Sequence, residues 1–146
     1  MMLYLRPAMS LTVSTHPEET IAAGRVLGAR LAPGTVVALA GDLGAGKTHF
    51  VRGLVAGWGG TEPATSPTFT LLHEYATPRG PVFHLDLYRA RTAAEVWDAA
   101  HDEMSEAAGL VVIEWADRFP ELVPPGACRV SLTATGDGRR EIAIEP

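Results

Sequence analysis

Apolar and polar positions change period several times along this chain, and each change marks an element. Leu11 and Val13 alternate with polar neighbours, which predicts a short strand. Pro17-Glu18-Glu19 predicts a helix start, with proline in the first turn and acids at the positive end; Ile21, Val26, Leu27 and Leu31 supply its expected apolar side. After a turn at Pro33-Gly34, the β-branched and apolar run 35–40 has the character of a buried central strand. A glycine-rich segment follows at once. From Lys47 to residue 56, the residues Phe50, Val51, Leu54 and Val55 recur at helical spacing, and the glycines within 57–60 end the helix.

Residues 61–68, with Pro63 and Pro67 among Thr and Ser, read as a loop. The stretches 69–75 and 82–87 predict two strands joined as a hairpin by Pro78-Arg79-Gly80-Pro81. Residues 92–108 have helical composition with Thr92 as N-cap, and 110–113 form an apolar run suited to another buried strand. After a connector at 120–126, residues 128–133 and 141–144 alternate as strands around the hairpin signal Gly136-Asp137-Gly138. No repeat, low-complexity tract or linker interrupts this order, so residues 1–146 are expected to form one domain.

Composition narrows the function. A chain of 146 residues, 47% hydrophobic and 20% charged, suits a single core. No stretch approaches the roughly 18 apolar residues of a membrane span. The first ten positions, broken by Arg6 and Pro7, lack the layout of a signal peptide, and a cytosolic protein is expected. The single cysteine, Cys128, excludes an internal disulfide and a cysteine-based zinc site, and reads as an ordinary strand residue. A net charge of -5 argues against strong direct nucleic-acid binding. Of the 12 basic residues only Lys47 is a lysine. The chain keeps its one compact ammonium where a planar guanidinium would not fit between phosphates.

Gly41-Asp42-Leu43-Gly44-Ala45-Gly46-Lys47-Thr48 satisfies G-x-x-x-x-G-K-[ST] between a predicted strand and a predicted helix. Glycines let successive N–H groups turn toward phosphates, and the helix presents its positive end to them. Lys47 is placed to bridge the β- and γ-phosphates of ATP, and the Thr48 hydroxyl to ligate Mg2+. Such a site also needs an acid at the end of a neighbouring strand. Glu114, after the run 110–113, and Asp86, after 82–85, both qualify, and the pattern does not rank them. Thr65-Ser66-Pro67-Thr68 lies where many P-loop proteins carry a γ-phosphate-sensing segment, although alone it reads as a solvated turn. His84 and Asp86 share a strand face but have no third ligand for zinc, and Trp115 either packs simply or lies near a nucleotide.

Four segments together resemble the TsaE family of bacterial ATPases in tRNA threonylcarbamoyladenosine biosynthesis: residues 41–48, Ser66-Pro67-Thr68-Phe69-Thr70, His84-Leu85-Asp86-Leu87-Tyr88-Arg89, and Ile113-Glu114-Trp115-Ala116-Asp117. The resemblance covers nearly the whole chain. It implies a three-layer α/β P-loop NTPase fold with a mixed parallel and antiparallel sheet, and ATP hydrolysis that serves the TsaB and TsaD proteins. It further implies Lys47, Asp86 and Glu114 as catalytic groups, and Mg2+ on Thr48 and Glu114. Nucleotide contacts would come from Asp42, Leu43, Gly44, Ala45, Gly46, Lys47, Thr48, Thr68 and Trp115, with Thr20, Gly138 and Arg139 on the adenine side. His49 departs from the family's usual Thr or Ser, and the helix after Arg89 lacks a glycine often found there. A small-molecule kinase would use the same loop but needs an acceptor pocket and lid for which the chain has little length. A GTPase would need an Asn-Lys-x-Asp segment, which a chain with one lysine cannot contain.

Overall fold

The computed structural model describes residues 9–42, 44–61, 71–106 and 109–146. Within them the chain forms β1 (Ser10–Ser14), α1 (Pro17–Arg30), β2 (Val36–Gly41), α2 (Lys47–Trp58), β3 (Leu72–Tyr75), β4 (Val82–Asp86), α3 (Ala93–Glu106), β5 (Leu110–Glu114), two 3₁₀ turns (Ala116–Arg118 and Pro120–Leu122), β6 (Cys128–Ala134) and β7 (Arg140–Glu145). The sheet order is β1-β7-β6-β2-β5-β4-β3. Four central strands, β6, β2, β5 and β4, run parallel, and antiparallel strands extend them at both sides. Both expected hairpins form, Tyr75 opposite Val82 in one and Ala134 opposite Arg140 in the other.

Two cores make this a three-layer α/β domain. Leu27 of α1 and Phe50, Leu54 and Trp58 of α2 pack on Val37, Leu39, Val112 and Val130 on one face of the sheet. Val96 and Ala100 of α3 pack with Ala116 and Val123 on Ala38, Leu85 and Ile113 on the other. Cys128 is a buried residue of β6, and burial pushes its thiol above the ordinary range. Thr92 caps α3, accepting a hydrogen bond from the Glu95 N–H at 3.1 Å, while Glu95 Oε2 accepts one from the Arg91 N–H at 2.9 Å.

The apolar side expected of α1 is only partly the side it buries. Val26 is 52% exposed, and the inner face is Thr20, Gly24, Leu27 and Gly28. The cause is the approach of α2. A Cβ on Gly24 would stand 2.2 Å from the Phe50 carbonyl oxygen, and one on Gly53 would stand 1.9 Å from that of Ile21. Backbone meets backbone where a hydrophobic pattern looks for side chains. For the same reason Gly57 does not end α2: the helix runs on to Trp58 and stops at Gly59, which adopts φ 119°.

Candidate nucleotide site

Parallel strands deliver their carboxyl ends to one edge of the sheet, the edge at which α/β folds bind ligands. At that edge β2 leads into the glycine loop, β5 ends in Glu114 and β4 ends in Asp86. Leu39 of β2 and Asp86 of β4 flank Glu114 in register, so the two candidate carboxylates stand side by side. A cleft of about 680 Å³ opens there, lined by Gly44, Gly46, Lys47, Thr48, Asp86, Glu114 and Trp115. Thr20 and Gly138 line it as well.

The start of α2 suits an anion. Its N-cap is Gly46, in the left-handed region at φ 97°, which side chains rarely adopt, and Gly46 offers no side-chain cap. The first turn carries no acid, in contrast to Glu18 and Glu19 in α1. Phe50 donates its N–H to the Gly46 carbonyl at 3.0 Å, so the N–H groups that precede it end at the cleft. Positive potential is thus left for a ligand.

Lys47 is buried, and its Nζ donates to the Gly41 carbonyl and, at 2.9 Å, to the Asp42 carbonyl. The same nitrogen lies 4.0 Å from the centroid of the Trp115 ring. Burial pulls the ammonium below its ordinary pKa, and the charges of Glu114, Asp86, Asp42 and Asp117 offset part of that shift. Trp115 has φ 58°, the one non-glycine residue in the left-handed region among the described residues, and its ring lies 4.9 Å from that of Tyr88. Arg118 holds the turn after β4, donating from Nη1 to the carbonyls of Leu87, at 2.6 Å, and Tyr88. Asp86 accepts the Tyr88 N–H at 3.0 Å.

At the far wall Ser14 donates to the His16 carbonyl at 2.8 Å, which leaves its oxygen to accept from Thr20 at 2.7 Å. Beside them the Thr15 hydroxyl, 2.7 Å from Glu19, holds that carboxyl below its ordinary pKa. Asp42 and Ala45 build the loop but do not line the cleft; Ala45 is part of the core. Arg139 does not line it either. Its side chain is 61% exposed and pairs with Asp137 at 3.7 Å within the turn, while Arg140, the first residue of β7, takes the place by the cleft. Leu43, Thr68 and the loop 65–70 lie outside the described residues.

The family model described as "Threonylcarbamoyl adenosine biosynthesis protein TsaE" matches residues 14–142. The chain belongs to the TsaE family. Relatives named tRNA threonylcarbamoyladenosine biosynthesis protein TsaE are similar over most of their length. The one from Bacillus subtilis is 39% identical over 90% of this chain and 82% of its own, and the one from Treponema pallidum 41% identical over 90% and 97%. A crystal structure of Bacillus subtilis YdiB superposes with a TM-score of 0.76 at 33% identity, covering 94% of this chain and 84% of that one.

For a member of the TsaE family, the residues that the sequence did not single out for the site are as informative as those it did. Tyr88, Arg89, Glu95 and Arg140 line the cleft, and so does His49, whose Nδ1 is buried without a hydrogen-bond partner among the described residues. Tyr88 and Arg89 were legible within their motif, and His49 directly follows the glycine loop on α2; Glu95 of α3 and Arg140 of β7 come from elements that no local pattern ties to the site. Magnesium suits the oxygen donors here. Thr48 supplies a hydroxyl and Glu114 a carboxylate, the hard ligands that Mg2+ takes in ones and twos beside phosphates and water. Among the described residues no helix is long and apolar enough to cross a membrane.

Proposed function

We propose that this chain binds ATP with Mg2+ in the cleft and hydrolyses it in the cytoplasm, in support of a TsaB and TsaD complex that forms threonylcarbamoyladenosine in tRNA. The observation that carries the reading is the uncapped, acid-free N-terminus of α2, opening from a left-handed glycine beside Lys47, with Asp86 and Glu114 in register across the same cleft. Thr48 and Glu114 would hold the metal, which supplies charge neutralisation at the phosphates. Lys47 meets the phosphates with an ammonium already desolvated. Asp86, tied to the turn by the Tyr88 N–H, is the second acid and orients the attacking water. Trp115 covers the lysine and keeps solvent from one side of it. Thr20, Gly138 and Arg140 form the wall left for the base.

The net charge of -5 leaves tRNA contact to the partners. Hydrolysis by the chain alone is slow in this account, because a partner-supplied group can be worth about 10³ to 10⁵ in rate. Turnover and affinity for purified TsaB and TsaD are to be measured with ATP, ADP and a non-hydrolysable analogue. Affinity that depends on nucleotide state, with turnover raised by the partners, is expected. Equal affinity in all three states with unchanged turnover would contradict the partner role.

A further inference from the structure

Register explains how a histidine on β4 reaches a carboxylate on β5. Asp86 stands opposite Glu114 and His84 opposite Val112, so His84 and Glu114 are diagonal neighbours on one face of the sheet. It is the face on which α2 packs, since Val112 belongs to the core that contains Phe50 and Leu54. His84 Nε2 lies 2.6 Å from Glu114 Oε2, and the two side chains are 1% and 3% exposed. A carboxylate oxygen accepts, so Nε2 carries the proton and donates it. The Tyr75 ring, its centroid 6.4 Å from that of His84, flanks the imidazole on its other side.

The second ring nitrogen makes the pair informative. Among the described residues His84 Nδ1 is buried with no hydrogen-bond partner. An unpaired buried polar atom is destabilising, and on the strand Val82-Phe83-His84-Leu85 a leucine or phenylalanine would fill the space without one. Packing does not account for a histidine here. What remains is the contact of Nε2 with Glu114.

We propose that His84 is a positioning residue for the metal, holding Glu114 Oε2 so that the carboxylate is oriented before a divalent cation arrives. A glutamate has several rotatable bonds, and one that is already held loses less freedom on meeting a metal. The inference rests on the magnesium-nucleotide reading above and adds a residue to it. His84 itself touches neither the nucleotide nor the metal.

The test compares His84→Leu, His84→Gln and His84→Asn. Glutamine places an amide N–H near the position of Nε2, whereas asparagine reaches only that of Nδ1. Binding of a fluorescent ADP analogue is followed first in EDTA and then during a magnesium titration. In EDTA all variants should bind within about twofold of the unmodified chain, while the magnesium midpoint rises about tenfold or more for Leu and Asn and stays within about threefold for Gln, as loss and retention of a metal-orienting hydrogen bond require. Unshifted midpoints for Leu and Asn, or a Gln variant as impaired as Asn, would overturn the proposal. Should the Leu variant not fold, the contrast between Gln and Asn decides, because both bring an amide to the same surroundings. In a Glu114→Gln background, His84→Asn should add no further shift, and an added shift would also overturn it. An unmodified chain whose nucleotide binding ignores magnesium would defeat the metal reading itself. Indifferent His84 variants beside a magnesium-dependent parent defeat this inference alone.

Discussion

Lys47 combines two conditions that seldom coexist: it is buried, and among the described residues its ammonium is held by backbone carbonyls and a tryptophan face rather than by a direct ion pair. Burial lowers its pKa and four nearby carboxylates offset part of that, so the charge is poised for an anion. Trp115 holds its ring there from a left-handed backbone, a conformation that costs about 1–3 kcal/mol and gathers at functional sites. The acid beside it carries the first prediction. Glu114→Gln keeps the shape and removes the charge meant for the metal, so ATP turnover should fall and the magnesium midpoint rise by about tenfold or more, as for loss of a metal-binding group. Coincident magnesium titrations of variant and parent would transfer the role to Asp86. At this scale Lys47 was legible because the chain has no other lysine. The contact between His84 and Glu114 was not, because it depends on the register of two strands separated by a whole helix.

Elements with a strong local signal were legible in the sequence, and those defined by close approach were not. Proline and glycine between alternating segments marked both hairpins, and the glycine loop between strand and helix marked the site. The packing of α1 on α2 escaped the hydrophobic pattern because its contact is made by glycines, which a search for apolar side chains passes over. That contact sets the prediction for this scale. Alanine is the better helix former by about 1 kcal/mol. Yet in Gly53→Ala its Cβ would stand 1.9 Å from the Ile21 carbonyl oxygen, and backbone cannot yield as a side-chain tip can. A net loss of about 1–3 kcal/mol is expected in urea unfolding, in the range for overpacking. Unfolding at the parent's midpoint would show that the helices stand farther apart.

On the scale of the whole molecule, each part of the mixed sheet has its own task. Parallel β6, β2, β5 and β4 aim their ends at the cleft, which Thr15, just after β1, and Arg140, at the start of β7, also line. Fold class and family were readable from four motifs, whereas the place of Arg140 and not Arg139 at the cleft was not, because a turn signal does not resolve which residue after it begins the strand. The account stands on one physical claim, that this domain presents a desolvated lysine to the phosphates of ATP. It is tested most directly by magnesium-dependent ATP turnover of the unmodified chain and of Lys47→Ala, alongside circular dichroism of both. The account predicts a folded variant whose turnover is lower by about 10² or more, the scale on which losing one preorganised charge-stabilising group is felt. A folded Lys47→Ala that hydrolyses ATP at the parent's rate would contradict it.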